Sequence, residues 1–284
     1  MRPRQWSKNL LVFVAPAAAG AYHHPRPIWQ ALGTFGIFCA AASAVYLIND
    51  IMDVESDREH PEKRFRPIAS GLLPIRIALV AGVVLGAASL GAAWALGGWK
   101  LTLVVGMYLA ISVAYTAYLK HEPVVELACV ASGFVLRALA GGVATHVPIS
   151  NWFLAVTSFG ALFVATGKRS AELRVLGDNP EAHRAALADY STSFLQSTLT
   201  LTASVTVTAY CLWAFGNSGI IASDHHGRVF IELTVIPVII GVLHVLRLLD
   251  KGEGGAPEDL VLRDHVLQVL GLMWVALFAI GIYR

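Results

Sequence analysis

The sequence contains few charged residues and few cysteines. Lys, Arg, Asp and Glu make up 14% of its 284 residues, whereas a soluble globular protein carries about 25%. Hydrophobic residues account for 56% of the chain, and the mean hydropathy is +0.62. These values exclude a soluble enzyme and predict an all-α polytopic membrane protein. The three cysteines, Cys39, Cys129 and Cys211, lie in separate apolar segments without metal-like spacing, which excludes a disulfide framework.

Long soluble segments are missing as well. Apolar runs of roughly 20 residues cross a bilayer, and they predict nine spans, at residues 7–22, 28–49, 75–97, 100–118, 124–145, 151–167, 192–215, 229–249 and 262–283. We expect one membrane domain, residues 1–284, with cap loops near residues 50–74 and 168–190. The first span is short and contains Pro16. Trp6 beside basic residues nevertheless suits the interfacial anchor of a retained helix better than a signal peptide.

The Lys and Arg residues are distributed unevenly over the predicted loops. With the N-terminus inside, the inner segments contain 16 of the 21 Lys and Arg residues. Of the 19 Asp and Glu residues, only Asp224 and Glu232 fall outside. The positive-inside rule then predicts a multi-pass protein of the plasma membrane, whose N-terminus and nearly all ionic side chains are cytoplasmic.

Residues 46–67, YLINDIMDVESDREHPEKRFRP, join an apolar helix to spaced acids and then to spaced bases. Asp50, Asp53 and Asp57 have i, i+3, i+7 spacing, which places them on one stripe of an α-helix with Asn49 beside it. Carboxylates on one stripe repel each other unless a cation joins them. Because oxygen ligands and substrate phosphates together suit Mg²⁺, we predict these four residues as metal ligands.

Basic residues follow the acids directly. Arg58, Lys63, Arg64 and Arg66 could bind the phosphate oxygens that a metal leaves exposed. The alternative is a solvated charged loop, which is the usual meaning of a charge run. Acidic side chains at helical spacing on the end of a membrane span cost free energy unless they bind a partner or an ion. The sequence therefore favours a metal-pyrophosphate site at the membrane surface.

Two further inner loops carry bases. Lys120 follows span four, where it could reach a phosphate or simply lie near a helix C-terminus, and the sequence supports both interpretations equally. Lys168 and Arg169 come at the end of span six, where they suit a second anion-binding site. Lys168 and Glu172 also have i, i+4 spacing, so part of this segment is ordinary surface pairing.

Arg137 lies inside the fifth predicted span, on one face with Gly133 and Gly141. An arginine within a membrane normally faces a polar cavity or a partner. The two glycines permit close helix contact, so a structural hydrogen bond to neighbouring backbone is the alternative. The sequence slightly favours the cavity.

These residues resemble a known family. NDIMDVESD is similar to the first aspartate-rich motif, NDxxDxxxD, of the UbiA superfamily of intramembrane prenyltransferases, and the resemblance covers nearly the whole chain. RPRQWSKNLLVFVAP, YTAYLKHEPVVELACVASGFVLRALAGG, HPEKRFRP and GKRSAEL favour the branch that contains decaprenyl-phosphate phosphoribosyltransferase. The resemblance implies a bundle of about nine helices with a cytoplasm-facing cavity.

The chain departs from the quinone and haem prenyltransferases of this superfamily in one motif. Those enzymes carry a second DxxxD motif after span six, where this chain has Lys168, Arg169 and Glu172. Bases in place of acids favour a bare phosphate over a second metal ion there. The departure therefore argues against a prenyl pyrophosphate donor.

The resemblance implies Mg²⁺-dependent transfer of 5-phosphoribose from phosphoribosyl pyrophosphate to a polyprenyl phosphate such as decaprenyl phosphate. This reaction is a step toward the arabinose donor of the actinobacterial cell wall. The expected partners are these two substrates and the bilayer, without nucleic acid, and a homo-oligomer is compatible with the sequence. The alternatives are a prenyltransferase that uses a prenyl pyrophosphate and an aromatic acceptor, or a transporter or lipid-binding protein without catalysis.

The candidate site residues fall into three groups. The catalytic group consists of Asp50, Asp53 and Asp57, which with Asn49 would bind the metal. The second group would bind donor phosphates and comprises Lys8, Arg58, Lys63, Arg66, Lys120, Lys168 and Arg169. The third would support the site or line its cavity and comprises Tyr118, Glu126, Arg137 and Glu172.

Overall fold

The computed structural model describes residues 3–176, 189–221, 225–252, 260 and 263–283, and this part of the chain contains helices and no strands. A 3-10 helix, Pro3–Phe13, comes first, and shorter 3-10 turns occupy Ala21–His23, Lys63–Phe65 and Leu119–His121. The α-helices are α1 (Val14–Ala18), α2 (Pro25–Met52), α3 (Val54–Glu59), α4 (Ile75–Ala117), α5 (Val125–Ala144), α6 (Asn151–Leu176), α7 (Thr192–Ile221), α8 (His225–Leu233), α9 (Val235–Asp250) and α10 (His265–Tyr283).

Long apolar helices dominate the described residues. Six segments are long and apolar enough to cross a membrane: Pro25–Met52, Ile75–Ala117, Val125–Ala144, Thr192–Gly216, His226–Asp250 and His265–Ile282. The prediction of an all-α multi-pass membrane protein is confirmed. The count of nine spans is approximate, because helix α6 is less apolar and the first predicted span is a 3-10 helix followed by a short α-helix.

Helix α4 consists of two arms, residues 75–97 and 99–117, on either side of Gly98. Its 43 residues would extend about 65 Å if straight, roughly twice the bilayer core. Gly98 breaks the helix with φ 64° and ψ −159°, a conformation open to glycine. A Cβ atom at Gly106 would lie 3.8 Å from the Leu90 side chain, a pair that a straight helix would separate by about 24 Å. The chain therefore folds back at Gly98, at the boundary between the two predicted spans.

The first predicted span is not one membrane-long α-helix. It consists of the 3-10 helix Pro3–Phe13 and the short helix α1. Pro16 has no amide proton to bond the Val12 carbonyl, so it disfavours one continuous α-helix here and lies instead in the first turn of α1, where proline is tolerated. The Val12 carbonyl instead lies against Gly141 of α5, where even a Cβ atom would be only 1.8 Å away. Close packing at Gly141, expected from its small size, is thereby confirmed.

The chain divides into two compact units. The first comprises Met1–Lys120 and Ser132–Pro148, and the second comprises His121–Ala131 and Ile149–Arg284. The core of the first unit includes Phe38, Leu101, Val105 and Tyr108. In the second unit, one apolar cluster is built around Leu195 and another around Leu199. The expectation of a single domain stays a prediction.

Arg137 is buried in the first unit, among neutral groups. Its Nε donates to Asn9 Oδ1 (2.7 Å), its Nη1 to the Gly133 carbonyl (2.6 Å) and its Nη2 to the Tyr108 hydroxyl (3.0 Å). The guanidinium also lies 4.7 Å from the centre of the Tyr108 ring and 5.7 Å from that of Phe38. These contacts match the structural alternative that the sequence left open, because they join α5 to the N-terminal segment and to α4.

We expect Arg137→Lys to destabilise the protein. One ammonium group cannot reach three acceptors that surround a planar guanidinium. Hydrogen bonds between membrane helices contribute about 0.6 kcal/mol each, so losing two would cost roughly 1 kcal/mol and lower the melting temperature by about 2–4 °C. Thermal unfolding in detergent measures this, with Arg228→Lys at the exposed pair to Glu232 as control. An unchanged melting temperature with a raised KM would instead assign Arg137 to a substrate cavity.

Candidate functional site

The acidic stripe continues across a one-residue interruption between two helices. Helix α2 ends at Met52, α3 begins at Val54, and Asp53 between them has φ −94° and ψ 9°. The helical hydrogen bonds persist on both sides, from Asp53 N to the Asn49 carbonyl (2.9 Å) and from Asp57 N to the Asp53 carbonyl (2.8 Å). The predicted register of the three aspartates is therefore kept, although the helix itself is broken at Asp53.

Two of the predicted phosphate-binding bases contact these aspartates. Arg66 Nη1 lies 3.3 Å from Asp50 Oδ1 and 2.5 Å from Asp57 Oδ2, so one guanidinium nitrogen joins two carboxylates. Asp57 is only 3% exposed. Lys120 Nζ donates to Asp53 Oδ1 at 2.7 Å, which brings a residue of the 3-10 turn Leu119–His121, just after α4, to the stripe. All five side chains belong to the first compact unit.

The predicted cap, residues 50–74, contains the end of α2, the short helix α3 and the 3-10 turn Lys63–Phe65. Arg58 Nε donates to the Ala69 carbonyl at 3.2 Å, which fastens α3 to the end of this cap. Lys63 is exposed, and the Arg64 guanidinium lies 4.9 Å from the centre of the Phe65 ring. The cap thus carries exposed bases on a backbone that is held in place.

Two further candidates occupy different surroundings in the first unit. Lys8 is half-buried in the N-terminal 3-10 helix. Tyr118 is 78% exposed beside Lys120. Neither position tests the proposed roles of these residues, which stay predictions.

Asn49 and Thr116 complete the group around Asp53. Asn49 Nδ2 donates to Asp53 Oδ2 at 3.1 Å, and Thr116 Oγ1 donates to Asn49 Oδ1 at 3.2 Å. Thr116 was not found from the sequence. It lies 67 residues from Asn49, and one threonine in an apolar helix gives no local signal. The one sequence feature that could have suggested a role for Thr116 is its position four residues before Lys120, on the same side of a helix.

The aspartates of the stripe suit a metal ion that also binds substrate oxygens. Among the described residues, no three His, Cys, Asp or Glu side chains converge closely enough to hold a metal by themselves. Mg²⁺ at phosphate sites is usually held by one or two carboxylates together with substrate oxygens. Asp50 and Asp57 converge on a single cationic nitrogen of Arg66, so two carboxylates here can share one cation. The residues fit Mg²⁺ shared with a diphosphate, and the ligand set stays a prediction.

Lys168 and Arg169 lie inside α6, which continues past the predicted end of span six to Leu176. They belong to the second compact unit, and Arg169 is deeply buried. Arg169 Nε and Nη2 donate to the two Glu126 carboxylate oxygens at 2.5 and 2.6 Å, and its Nη1 donates to Glu172. Arg169 is 4% exposed and Glu126 is 1% exposed. Together, the contacts with Glu126 and Glu172 use three of the five guanidinium donors. These contacts favour a structural role for Arg169, and phosphate binding by this residue stays a prediction.

Lys168 has a different environment from that of Arg169. Its side chain is 41% exposed, and its Nζ lies 4.0 Å from Glu172 Oε1. The i, i+4 pairing expected from the sequence is present at this long distance. An exposed ammonium at this position can also bind an anion, so Lys168 is the stronger of the two phosphate-binding candidates in α6.

Comparison with known proteins gives one consistent result. Residues 10–281 match the UbiA prenyltransferase family. The decaprenyl-phosphate phosphoribosyltransferase of Mycobacterium tuberculosis is 45% identical over 280 residues, which cover 97% of this chain and 90% of that protein. The enzyme of the same name from Corynebacterium glutamicum is 43% identical over 286 residues, covering 100% of this chain and 85% of that protein.

The fold comparison agrees with the sequence matches. The structure of a UbiA homologue from Archaeoglobus fulgidus bound to GPP and Mg²⁺ superimposes with a TM-score of 0.69 at 18% identity. The superposition covers 98% of this chain and 95% of that one. Family match, relatives and fold lead to the same conclusion: the chain belongs to the UbiA prenyltransferase family.

Proposed function

We propose that this protein transfers 5-phosphoribose from phosphoribosyl pyrophosphate to decaprenyl phosphate and releases pyrophosphate. The observation that carries the proposal is the near full-length similarity, at 45% and 43% identity, to two enzymes named for this activity. The group of three aspartates, Arg66 and Lys120 supplies the charges that a metal-bound diphosphate needs. The reaction belongs at the cytoplasmic face, because the basic loops predict that side for the acidic stripe.

The transfer requires no protein side chain as a general base. A phosphate oxygen of the lipid attacks C1 of the ribose while the bond from C1 to the diphosphate breaks, and the electron pair leaves with the diphosphate. A phosphate monoester with a second pKa of about 6 is already ionised at neutral pH, so no proton must be removed. In-line attack inverts C1 and gives a β-linked product. The chain therefore has to position two anions and stabilise the leaving charge.

In this reaction the acidic stripe would bind the metal ion, and the adjacent bases would bind the diphosphate. Asp50, Asp53 and Asp57 would hold Mg²⁺, which when bound supplies positive charge to the departing diphosphate. Asn49 would assist through its hydrogen bond to Asp53. Arg66 bonds both Asp50 and Asp57 through Nη1. A guanidinium has five N–H donors, so its remaining donors can bind diphosphate oxygens while the acids stay in place. Lys120 is suited to the same double role at Asp53.

The activity is tested with isolated membranes from cells that express the protein. Labelled phosphoribosyl pyrophosphate and decaprenyl phosphate should yield labelled lipid and pyrophosphate in equal amounts. A parallel reaction receives a prenyl pyrophosphate and an aromatic acceptor, and membranes with Asp53→Asn report the background of the host. Prenyl transfer without phosphoribosyl transfer would overturn the proposal in favour of the other family activity, and no transfer at all would favour a non-catalytic protein.

We expect Lys168→Ala to raise the KM of one substrate while the protein stays folded. A hydrogen bond to a charged group contributes about 1.5–3 kcal/mol, so its loss from a phosphate should raise KM at least about tenfold. Steady-state kinetics with each substrate varied in turn identify which phosphate is involved. Lys251→Ala, at an exposed lysine after α9, is the matched control. Kinetics equal to the parent for Lys168→Ala would show that this lysine is only surface charge.

A further inference from the structure

The orientation of the Asn49 amide is fixed by its neighbours. Asn49 Nδ2 lies 3.1 Å from Asp53 Oδ2, and an ionised carboxylate can only accept hydrogen bonds. The amide nitrogen must therefore face Asp53, and the amide oxygen faces the opposite way. That oxygen lies 3.2 Å from the Thr116 hydroxyl, which is the donor it requires.

Thr116 is well placed to hold this orientation. It is 2% exposed in the second arm of α4, and its hydroxyl proton is shared between Asn49 Oδ1 and the Ser112 carbonyl at 3.0 Å. Lys120 follows four residues later and donates to the other oxygen of Asp53. Thr116 in α4 and Lys120 in the turn after it thus act on both Asp53 oxygens. Lys120 contacts Oδ1 directly, and Thr116 acts on Oδ2 through Asn49.

We propose that Thr116 is a positioning residue for the donor site: its hydroxyl orients the Asn49 amide, which in turn orients the Asp53 carboxylate. This inference rests on the proposed function, because Asp53 is assigned there to the metal-bound diphosphate. Without the hydroxyl, the half-buried amide oxygen of Asn49 loses its donor and the amide can rotate. Asp53 would then lose a fixed partner on Oδ2 while Lys120 still attracts Oδ1.

The test compares three single variants of the full-length protein. Thr116→Val removes the hydroxyl and keeps the branched shape, and Thr116→Ser keeps the hydroxyl and removes a methyl group. Thr102→Val is the control, because the Thr102 hydroxyl bonds only the Gly98 carbonyl of its own helix among the contacts described for it. Binding of pyrophosphate and of phosphoribosyl pyrophosphate is titrated at several Mg²⁺ concentrations, alongside the KM of decaprenyl phosphate and the melting temperature.

We expect Thr116→Val to raise the Mg²⁺ concentration for half-maximal binding of both ligands about tenfold, as for other residues that orient metal ligands. Thr116→Ser should restore binding to within about twofold of the parent, and Thr102→Val should match it. The KM of decaprenyl phosphate should not change. On an Asn49→Ala background, Thr116→Val should not raise this Mg²⁺ concentration further, because the amide through which Thr116 acts on Asp53 is already absent.

Three results would overturn the proposal. One is parental Mg²⁺ dependence in Thr116→Val, the second is an equal loss in Thr116→Ser or Thr102→Val, and the third is a full additional loss on the Asn49→Ala background. A parent that shows no Mg²⁺-dependent pyrophosphate binding would overturn it too. A parent that binds pyrophosphate with Mg²⁺ yet transfers no phosphoribose would refute the proposed function alone. The binding titrations would still test the positioning role of Thr116, because they do not depend on transfer.

Discussion

Asp53→Asn and Asp57→Asn should each reduce Mg²⁺-dependent donor binding and transfer by at least about 100-fold. Residues that only orient metal ligands cost about 10–100-fold when changed, and a ligand itself should cost no less. Asparagine keeps the size of the side chain and an oxygen that can accept from Arg66 or Lys120. The change therefore removes a negative charge with little change of shape, and the loss should appear in binding more than in stability.

The two aspartates are expected to differ in their effect on folding. Asp57 is 3% exposed and 2.5 Å from Arg66, so Asp57→Asn weakens a buried charge pair and should lower the melting temperature more than Asp53→Asn. The Asp53 side chain is 23% exposed, and water can replace part of its contact with Lys120. Comparing the two variants separates the loss of binding from the loss of folded protein.

Binding of labelled phosphoribosyl pyrophosphate is measured as Mg²⁺ is varied, on protein shown to be folded by its melting curve. Glu55→Gln is the matched control, because Glu55 is an exposed acid of the same helix as Asp57. It should retain parental binding. Unchanged Mg²⁺-dependent binding in both aspartate variants would refute the assignment of the stripe to the metal.

The helices and the acidic register were predictable because both follow from local periodicity. The apolar runs at residues 75–97 and 100–118 indicate two passes in α4, and the spacing of Asp50, Asp53 and Asp57 places them on one helical stripe. A local pattern also places bases next to the stripe. It cannot say that Arg66 folds back onto Asp50 and Asp57, since that contact depends on the path of the cap.

The contacts that the sequence could not give join distant positions. Thr116 meets Asn49 across 67 residues, and Arg137 meets Asn9 across 128. No periodicity links such positions, because each pairing depends on how separate helices pack. The same holds for Arg169, a predicted phosphate ligand, because its pairing with Glu126, 43 residues earlier, depends on helix packing and not on a local pattern.

The ion pair of Arg169 with Glu126 yields the prediction with the largest effect on stability. Arg169→Met should lower the free energy of unfolding by about 3–5 kcal/mol, because it leaves a buried carboxylate without a partner. Glu126→Gln should cost less, since Arg169 keeps Glu172 and an amide oxygen. The double variant should be more stable than the sum of the two losses predicts, because no unpaired charge then remains.

Chemical and thermal unfolding in detergent measure these differences, with Arg174→Met as control. Arg174 Nη2 lies 3.6 Å from Asp250 Oδ1, and the Asp250 side chain is 73% exposed. Such an exposed pair contributes about 0–1 kcal/mol, so this control should remain close to the parent. The comparison also decides between the two roles of Arg169. A phosphate ligand would give a raised KM at an unchanged melting temperature, whereas a structural cation gives a large loss of stability and parental KM in the protein that stays folded.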